Sequence, residues 1–219
     1  MTANWIVNEV DNAIAQVIFA HGAGADMNHE FMVEMTRLLN LEQITVIRFN
    51  FPFMDKRIET GKRYPPDRMP KLLVCYQAVI DEFIQKNKST KLPLFIGGKS
   101  MGSRVAATLA SDNSNSDKFS GVFCLGYPFH PTKKPEKLRL TPLFDSVKPV
   151  LIIQGERDTL GNKEEIISYN LPPHCQRLFL ADGDHSLKPR VKSGLSYQRH
   201  LLTASVAISN FIKEHSDSD

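Results

Sequence analysis

The fold is decided by the stretch Leu94-Phe95-Ile96-Gly97-Gly98-Lys99-Ser100-Met101-Gly102-Ser103-Arg104. A short apolar run ends at two glycines, a serine follows, and an alanine-rich segment of helical character begins at once. Gly98, Ser100 and Gly102 fit G-x-S-x-G, which is typical of a serine on a tight strand-to-helix turn. Glycines suit such a turn because a Cβ would collide with neighbouring backbone. A helix beginning at Met101 would direct its free N–H groups and positive dipole end towards the serine. The stretch therefore predicts a nucleophilic serine.

Two other interpretations of this stretch are weaker. One is a Gly-rich turn with no chemical role. The other is a phosphate loop, because Gly98-Lys99-Ser100 ends like G-x-x-x-x-G-K-[ST]. The first glycine of that pattern would fall at Pro93, and the apolar run continues to Gly97, so no phosphate cradle precedes the lysine. We therefore reject the phosphate loop.

Length, charge and cysteine content limit the class of protein. A chain of 219 residues, 42% of them hydrophobic, suits one domain over residues 1–219 with a sizeable core. The net charge of +3 is too small to indicate nucleic-acid binding. The three cysteines, Cys75, Cys124 and Cys175, show no metal spacing and are expected to be buried, reduced thiols. Residues 1–11 do not resemble a secretion signal and no apolar run could span a bilayer, so we expect a cytoplasmic protein without a membrane span.

Short apolar runs alternate with segments of helical periodicity. Runs that are apolar almost throughout are typical of parallel strands buried on both faces. The six runs are Gln16–Ala20, Thr45–Phe49, Leu94–Ile96, Gly121–Leu125, Val150–Gln154 and Arg177–Leu180. Helices are expected at roughly 30–40, 70–88, 101–111, 163–169 and 196–214. This alternation predicts a three-layer α/β/α domain with a mainly parallel, doubly wound sheet.

Two connections, 51–69 and 126–149, are longer than connection alone requires and are expected to be loops. Both follow the carboxyl end of a strand, the edge where open α/β sheets bind ligands. Neither is long enough for a cap domain, so we expect an open site. Basic residues cluster in both, as in Lys62-Arg63 and Lys133-Lys134, and would favour an anionic substrate.

A nucleophilic Ser100 needs a base and an acid that orients the base. His185 lies five residues past a predicted strand, and Asp158 follows another. The order serine, acid, histidine is the one found with a G-x-S-x-G turn. Glu156 remains a minor alternative acid. A metal is disfavoured because no further spaced ligands accompany Asp184 and His185.

Asp182 and Asp184 flank His185 too closely in sequence to reach its ring easily. We expect them to hold the loop together through Asx-type bonds. The oxyanion hole should combine the backbone N–H of Met101 with that of Ala23, in the glycine-rich turn after the first predicted strand. His21, which precedes that turn, is expected to support it structurally.

Several motifs together resemble the α/β-hydrolase fold. They are His21-Gly22-x-Gly24, Gly98-x-Ser100-x-Gly102, Gly155-x-x-Asp158 and Asp184-His185. Three further segments are similar to a small cap-less branch that includes bacterial predicted hydrolases and the hydrolase-like domains of testis-expressed and NSL-complex proteins. These segments are Arg48-Phe49-Asn50-Phe51-Pro52, Leu125-Gly126-Tyr127-Pro128-Phe129-His130-Pro131 and Asp182-Gly183-Asp184-His185-Ser186.

The resemblance covers nearly the whole chain and implies a minimal α/β-hydrolase domain with Ser100, Asp158 and His185 as its triad. It predicts a serine hydrolase for a small ester, thioester or related acyl substrate, with no cofactor and no metal. A monomer is expected, with a small-molecule acyl substrate as its partner. Some eukaryotic relatives serve as assembly components, so a non-catalytic binding or scaffold module is the alternative.

Overall fold

The structure is a computed structural model that describes residues 4–216. The strands are β1 (Trp5–Asn8), β2 (Ala15–Ala20), β3 (Ile44–Phe49), β4 (Leu94–Lys99), β5 (Gly121–Leu125), β6 (Val150–Gly155) and β7 (Cys175–Leu180). They form one seven-stranded sheet in the order β1-β3-β2-β4-β5-β6-β7. All neighbouring strands run parallel except β1, which pairs antiparallel with β3. The predicted mainly parallel sheet is confirmed.

Helices cover both faces of the sheet. They are α1 (Glu30–Leu41), α2 (Pro52–Thr60), α3 (Met69–Lys86), α4 (Met101–Ala110), α5 (Thr141–Phe144), α6 (Lys163–Ser168) and α7 (Tyr197–Ser216). One hydrophobic core lies between the sheet and α2 to α6, and a second lies between the sheet and the pair α1 and α7. This is the predicted three-layer α/β/α arrangement, without a cap.

Strand β1 was not predicted. Its four residues WIVN contain no continuous apolar run long enough to stand out from the polar segment around them. The strand is defined by its partner: Trp5 lies opposite Phe49 on β3, and the Trp5 ring makes an edge contact with Phe83. Pairing across such a sequence separation is invisible to a local pattern.

The two long connections are not loops throughout, which corrects the prediction. The first contains α2, which begins at Pro52 and ends at Thr60, followed by Gly61 with a φ of 65°. Proline suits a first helical turn, and glycine the left-handed position after the last. Only Phe53 and Met54 of this helix are buried, so it carries no apolar stripe to reveal it. The second connection contains the single turn α5.

Helix formation elsewhere follows local signals. Helix α3 has Pro70 in its first turn and buries one stripe of apolar residues against the sheet. Helix α6 begins with a capping box, in which Asn162 accepts from the backbone of Glu165 and Glu165 accepts from the backbone of Asn162. Among residues 4–216, no helix combines the length and the apolar character that crossing a bilayer requires.

Candidate active site

Ser100 lies between the end of β4 and the start of α4, as predicted. Its φ of 53° and ψ of −115° are a conformation that a residue with a side chain rarely adopts. Because that backbone is strained, the surrounding structure must hold it in place. The Ser100 N–H donates to the carbonyl of Leu125, 2.9 Å away on the next strand, and the Ser100 carbonyl accepts from the Arg104 N–H at 3.2 Å. The serine is therefore presented at the carboxyl edge of the sheet on a turn fixed at both ends.

The two glycines of the motif are required by close backbone approach. A Cβ on Gly98 would lie 2.3 Å from the carbonyl carbon of Gly102, and one on Gly102 would lie 2.6 Å from the carbonyl oxygens of Ala20 and His21. Backbone atoms cannot yield as a flexible side chain does. Helix α4 therefore crosses the end of β2 only because these positions lack side chains.

Ser100, His185 and Asp158 are joined in a line of hydrogen bonds. The Ser100 Oγ lies 2.8 Å from His185 Nε2, and His185 Nδ1 lies 2.8 Å from Asp158 Oδ2. Asp158 is completely buried, whereas the His185 side chain is 28% exposed. The buried carboxylate also accepts from Gln154 Nε2 at 2.8 Å and from the Leu160 N–H at 2.8 Å. Three hydrogen bonds thus hold the Asp158 carboxylate in one orientation.

The alternative acid Glu156 is engaged elsewhere. Its carboxylate accepts from Lys163 Nζ at 2.8 Å and from the Asp182 N–H at 3.1 Å, and these contacts lower its pKa. Asp184 and Asp182 tie the histidine loop together, as expected: Asp184 Oδ1 accepts from the N–H groups of Ser186 and Lys188, and Asp182 pairs with Arg190. Of the four candidate acids, Asp158 is therefore the one that contacts the His185 ring.

Lys99 supports the histidine loop, a role that the sequence did not reveal. Its Nζ donates to the His185 carbonyl at 2.6 Å. Burial lowers the pKa of Lys99 to about 8, although the charges of Asp158 and Asp184 act in the opposite direction. The available signal in the sequence was a lysine at the end of an otherwise apolar strand. Lys99 holds His185 above the serine by its backbone.

His21 has the bonding of a structural residue. Its Nδ1 donates to the Gly22 carbonyl at 2.7 Å, and its Nε2 accepts from the Phe51 N–H at 3.0 Å. Burial lowers the pKa of His21 to about 4, so the ring is neutral at pH 7. Arg57 donates to the Ala23 carbonyl at 3.0 Å and braces the same turn, which sequence reasoning missed. The His21–Phe51 and Arg57–Ala23 contacts join the turn after β2 to helix α2 and to the residue that precedes it.

Ala23 and Met101 lie beside Ser100 and line the space above it. Met101 is the first residue of α4, where an N–H has no partner within its own helix. Neither of these two N–H groups has a hydrogen-bond acceptor among residues 4–216.

Two clefts meet at Ser100. The His185-side cleft, of about 340 Å³, is lined by His185, Tyr197 and Lys99 with the turn Gly22–Ala25 and the start of α1. The Met101-side cleft, of about 370 Å³, is lined by Met101, Arg104 and residues of the two long connections. A wider groove of about 600 Å³ runs along the opposite edge of the sheet, past Gln16 and Phe83, and does not contact Ser100.

The cysteines take no part in this site. All three are free thiols; Cys124 and Cys175 are buried as expected, but Cys75 is only half-buried. Burial raises the pKa of Cys75 to about 12 and that of Cys175 to about 11, so neither is a thiolate at pH 7. Among residues 4–216, no three histidine, cysteine or acidic side chains are grouped to hold a metal.

Comparisons with known proteins agree with this fold. A family model described as an alpha/beta hydrolase domain matches residues 13–213. Among solved structures, a dienelactone hydrolase from Anabaena variabilis superposes with a TM-score of 0.73 at 15% identity, covering 98% of this chain and 92% of that one.

Two further solved structures are similar. Est1E from Butyrivibrio proteoclasticus has a TM-score of 0.70 at 15% identity, covering 97% of this chain and 94% of that one. A Xanthomonas campestris protein, described as an α/β serine hydrolase without a lid, has a TM-score of 0.68 at 17% identity, covering 99% and 91%. At such identities the superpositions establish the fold alone. The family model matches most of the chain, and this chain therefore belongs to the α/β hydrolases.

Proposed function

We propose that this protein is a serine hydrolase that cleaves a small ester, thioester or related acyl substrate through Ser100, His185 and Asp158. The observation that carries the proposal is the hydrogen-bonded line from the Ser100 Oγ through the His185 ring to a fully buried carboxylate. The Asp158 carboxylate accepts a hydrogen bond from His185 Nδ1. The neutral ring therefore carries its proton on Nδ1, and Nε2 is free to accept from the serine hydroxyl. Membership of the α/β-hydrolase family supports this assignment.

The first half of the reaction transfers the acyl group to the enzyme. The Ser100 Oγ attacks the substrate carbonyl carbon while its proton passes to His185 Nε2. The backbone N–H groups of Ala23 and Met101 donate to the resulting oxyanion. When the intermediate collapses, the bond to the leaving group breaks, and the departing oxygen or sulfur takes the proton from His185. Ser100 is then acylated.

The second half releases the acid. Water in the position of the departed group gives a proton to His185 Nε2 as its oxygen attacks the acyl-enzyme. Collapse of this intermediate returns the proton to the Ser100 Oγ and frees the carboxylic acid. Asp158 stays ionised throughout and stabilises the imidazolium in both halves. The absence of a cap domain fits a small substrate that reaches the serine directly from solvent.

The alternative is a binding or scaffold module, suggested by the resemblance to the testis-expressed and NSL-complex branch. The site argues against it. The strained Ser100 backbone, the buried Asp158 and the desolvated Lys99 each cost stability, and a scaffold would gain nothing from them.

A fluorophosphonate probe tests the proposal, because it forms a stable analogue of the tetrahedral intermediate without a known substrate. We expect stoichiometric labelling at Ser100, no labelling in Ser100→Ala, and strongly reduced labelling in His185→Ala. Ser114→Ala, an exposed serine away from the site, is the matched control and should label fully. Melting temperatures must show that each variant is folded. A folded wild-type protein that takes up no probe would overturn the hydrolase assignment in favour of the binding module.

A further inference from the structure

The Met101-side cleft contains two arginines that the proposed chemistry does not use. Arg104 lies one turn into α4, four residues after Ser100, and Arg139 lies at the end of the long segment before α5. Both line the same cleft as Ser100 and Met101. An unused pair of cations beside a nucleophile needs a physical explanation.

Neither arginine has the partner that arginine usually has in a folded protein. Within residues 4–216, no carboxylate lies within 4.0 Å of either guanidinium. The Nε of Arg104 is buried and makes no hydrogen bond. A buried donor without an acceptor costs free energy, more so when it carries charge. The Arg104 guanidinium is therefore in an environment that lacks an anion.

Hydrogen bonds to neighbouring residues hold Arg139 in place. Its Nη1 donates to the Pro128 carbonyl at 3.3 Å, and its backbone N–H donates to the Phe129 carbonyl at 2.7 Å. Its own carbonyl accepts from the Tyr127 hydroxyl at 2.8 Å. Burial lowers the pKa of Arg139, and the nearby positive charge of Arg104 lowers it further. Because both arginines line one cleft, their positive charges repel one another there, and an anion between them would relieve that repulsion.

The carboxylate that lines this cleft is already occupied. Asp67 accepts from Lys71 Nζ at 2.8 Å through one oxygen and from the Phe53 N–H at 3.0 Å through the other. The charge of Asp67 is therefore paired with Lys71 at the start of α3 and does not balance the two arginines.

The position of the leaving group determines which part of a substrate enters this cleft. His185 must protonate the leaving group, and of the two clefts His185 lines only the other. With the carbonyl oxygen directed at Ala23 and Met101, the acyl chain extends along the Met101 side. We propose that Arg104 and Arg139 bind an anionic group, carboxylate or phosphate, at the far end of the acyl chain, so that the preferred substrate is an ester of an acid carrying a second negative charge. This inference rests on the proposed function and names its substrate class.

The test compares matched esters that share one leaving group. The acyl groups are pentanoyl (neutral), its carboxylate-ended counterpart glutaryl, and a phosphonate-ended analogue, each corrected for uncatalysed hydrolysis. We expect kcat/KM for at least one anionic ester to exceed that of the neutral ester by about 10-fold or more, since paired charge-assisted hydrogen bonds contribute at least that factor. The two anionic arms distinguish carboxylate from phosphate.

Variants assign the preference to the arginines. Arg104→Gln and Arg139→Gln should each reduce the anionic-to-neutral ratio about 10-fold, and Arg104→Lys, which keeps the charge but not the planar fork, should recover part of it. Lys134→Gln removes the same charge from an exposed position in the same segment and should leave the ratio unchanged. A wild-type ratio near one, or an equal loss in Lys134→Gln, would overturn the site. If Arg104→Gln does not fold, the Arg139→Gln and Arg104→Lys ratios decide the question.

Binding to Ser100→Ala protein separates this inference from the proposed function. Calorimetry with the glutaryl and pentanoyl esters should show tighter binding of the anionic ester without turnover. Tighter anion binding in a protein whose wild type hydrolyses nothing would retain the anion site and reject the hydrolase. Hydrolysis by the wild type without an anion preference would retain the hydrolase assignment and reject the anion site.

Discussion

The two clefts that meet at Ser100 are built from different kinds of structure. The walls of the His185-side cleft come from the starts of helices α1 and α7 and a short turn, and they present Phe31, Met32 and Tyr197 with one cation, Lys99. The walls of the Met101-side cleft come from the two long connections and include Arg104 and Arg139.

This difference separates the residues proposed to carry out the reaction from the cleft walls that select the substrate. The serine lies where the two clefts meet, and it forms one hydrogen-bonded centre with its base and its acid that every substrate must use. The walls determine only which leaving group and which acyl chain fit beside them. A change at the shared centre should therefore affect all substrates alike, whereas a change in one wall should affect only the part of the substrate that lies there.

The largest effect is expected at the shared acid. Asp158→Asn should lower kcat by about 10⁴-fold, because an amide cannot stabilise the imidazolium or fix its tautomer. The factor should be the same for esters that differ in acyl chain and for esters that differ in leaving group. Steady-state rates on both series, with melting temperatures, provide the measurement.

Glu156→Gln is the matched control for that variant, since Glu156 occupies the same strand-end turn but does not contact His185. It should change kcat by less than about 3-fold. A greater loss in Glu156→Gln than in Asp158→Asn would reverse the assignment of the acid.

An intermediate effect is expected at the turn that borders both clefts. Unfolded His21 binds a proton below pH 6.5, whereas the folded protein keeps it neutral down to about pH 4. The unfolded state therefore holds more protons in this window, and the free energy of unfolding should fall as the pH is lowered from 6.5 to 4. The contribution of this histidine is about 3 kcal/mol from the difference between the two pKa values.

Urea unfolding at pH 7.0 and 4.5 measures this contribution in wild type and His21→Gln. The variant, although less stable at pH 7, should lose less stability on acidification. Identical losses in the two proteins would contradict the argument. An NMR titration of the wild-type His21 ring gives the same information if the variant does not fold.

The smallest effect is expected in one wall. Tyr197→Ala removes an aromatic side chain from the His185-side cleft, and the preference for aromatic over aliphatic leaving groups should fall by about 3- to 10-fold. Tyr197→Phe keeps the ring and should keep the preference. The ratio between anionic and neutral acyl chains should not change in either variant. A change in that ratio would show that the clefts do not act separately.

Much of this architecture could be predicted from local sequence. The strands β2 to β7 and helices α1, α3, α4, α6 and α7 carry apolar runs or stripes that a parallel sheet between helices requires. Because strand ends in such a sheet converge at one edge, the chain order of Ser100, Asp158 and His185 was enough to predict that they meet. Their use in catalysis stays a prediction.

Other elements lacked a local signal. Strand β1 depends on pairing with a strand some forty residues away, and α2 has almost no buried face. The segments 51–69 and 126–149 were therefore predicted to be loops. Their clustered basic residues predicted only a general preference for an anionic substrate.

The sequence by itself determined that a strained serine would stand at a strand end, because the glycines and apolar run that impose this are neighbours in the chain. Tertiary structure alone decided what surrounds it. His185 pairs with Asp158 27 positions away, Lys99 donates to a carbonyl 86 positions away, and Arg104 shares a cleft with Arg139. These contacts depend on the packing of segments distant in sequence, where hydrogen-bond satisfaction and desolvation are settled only after the chain has folded.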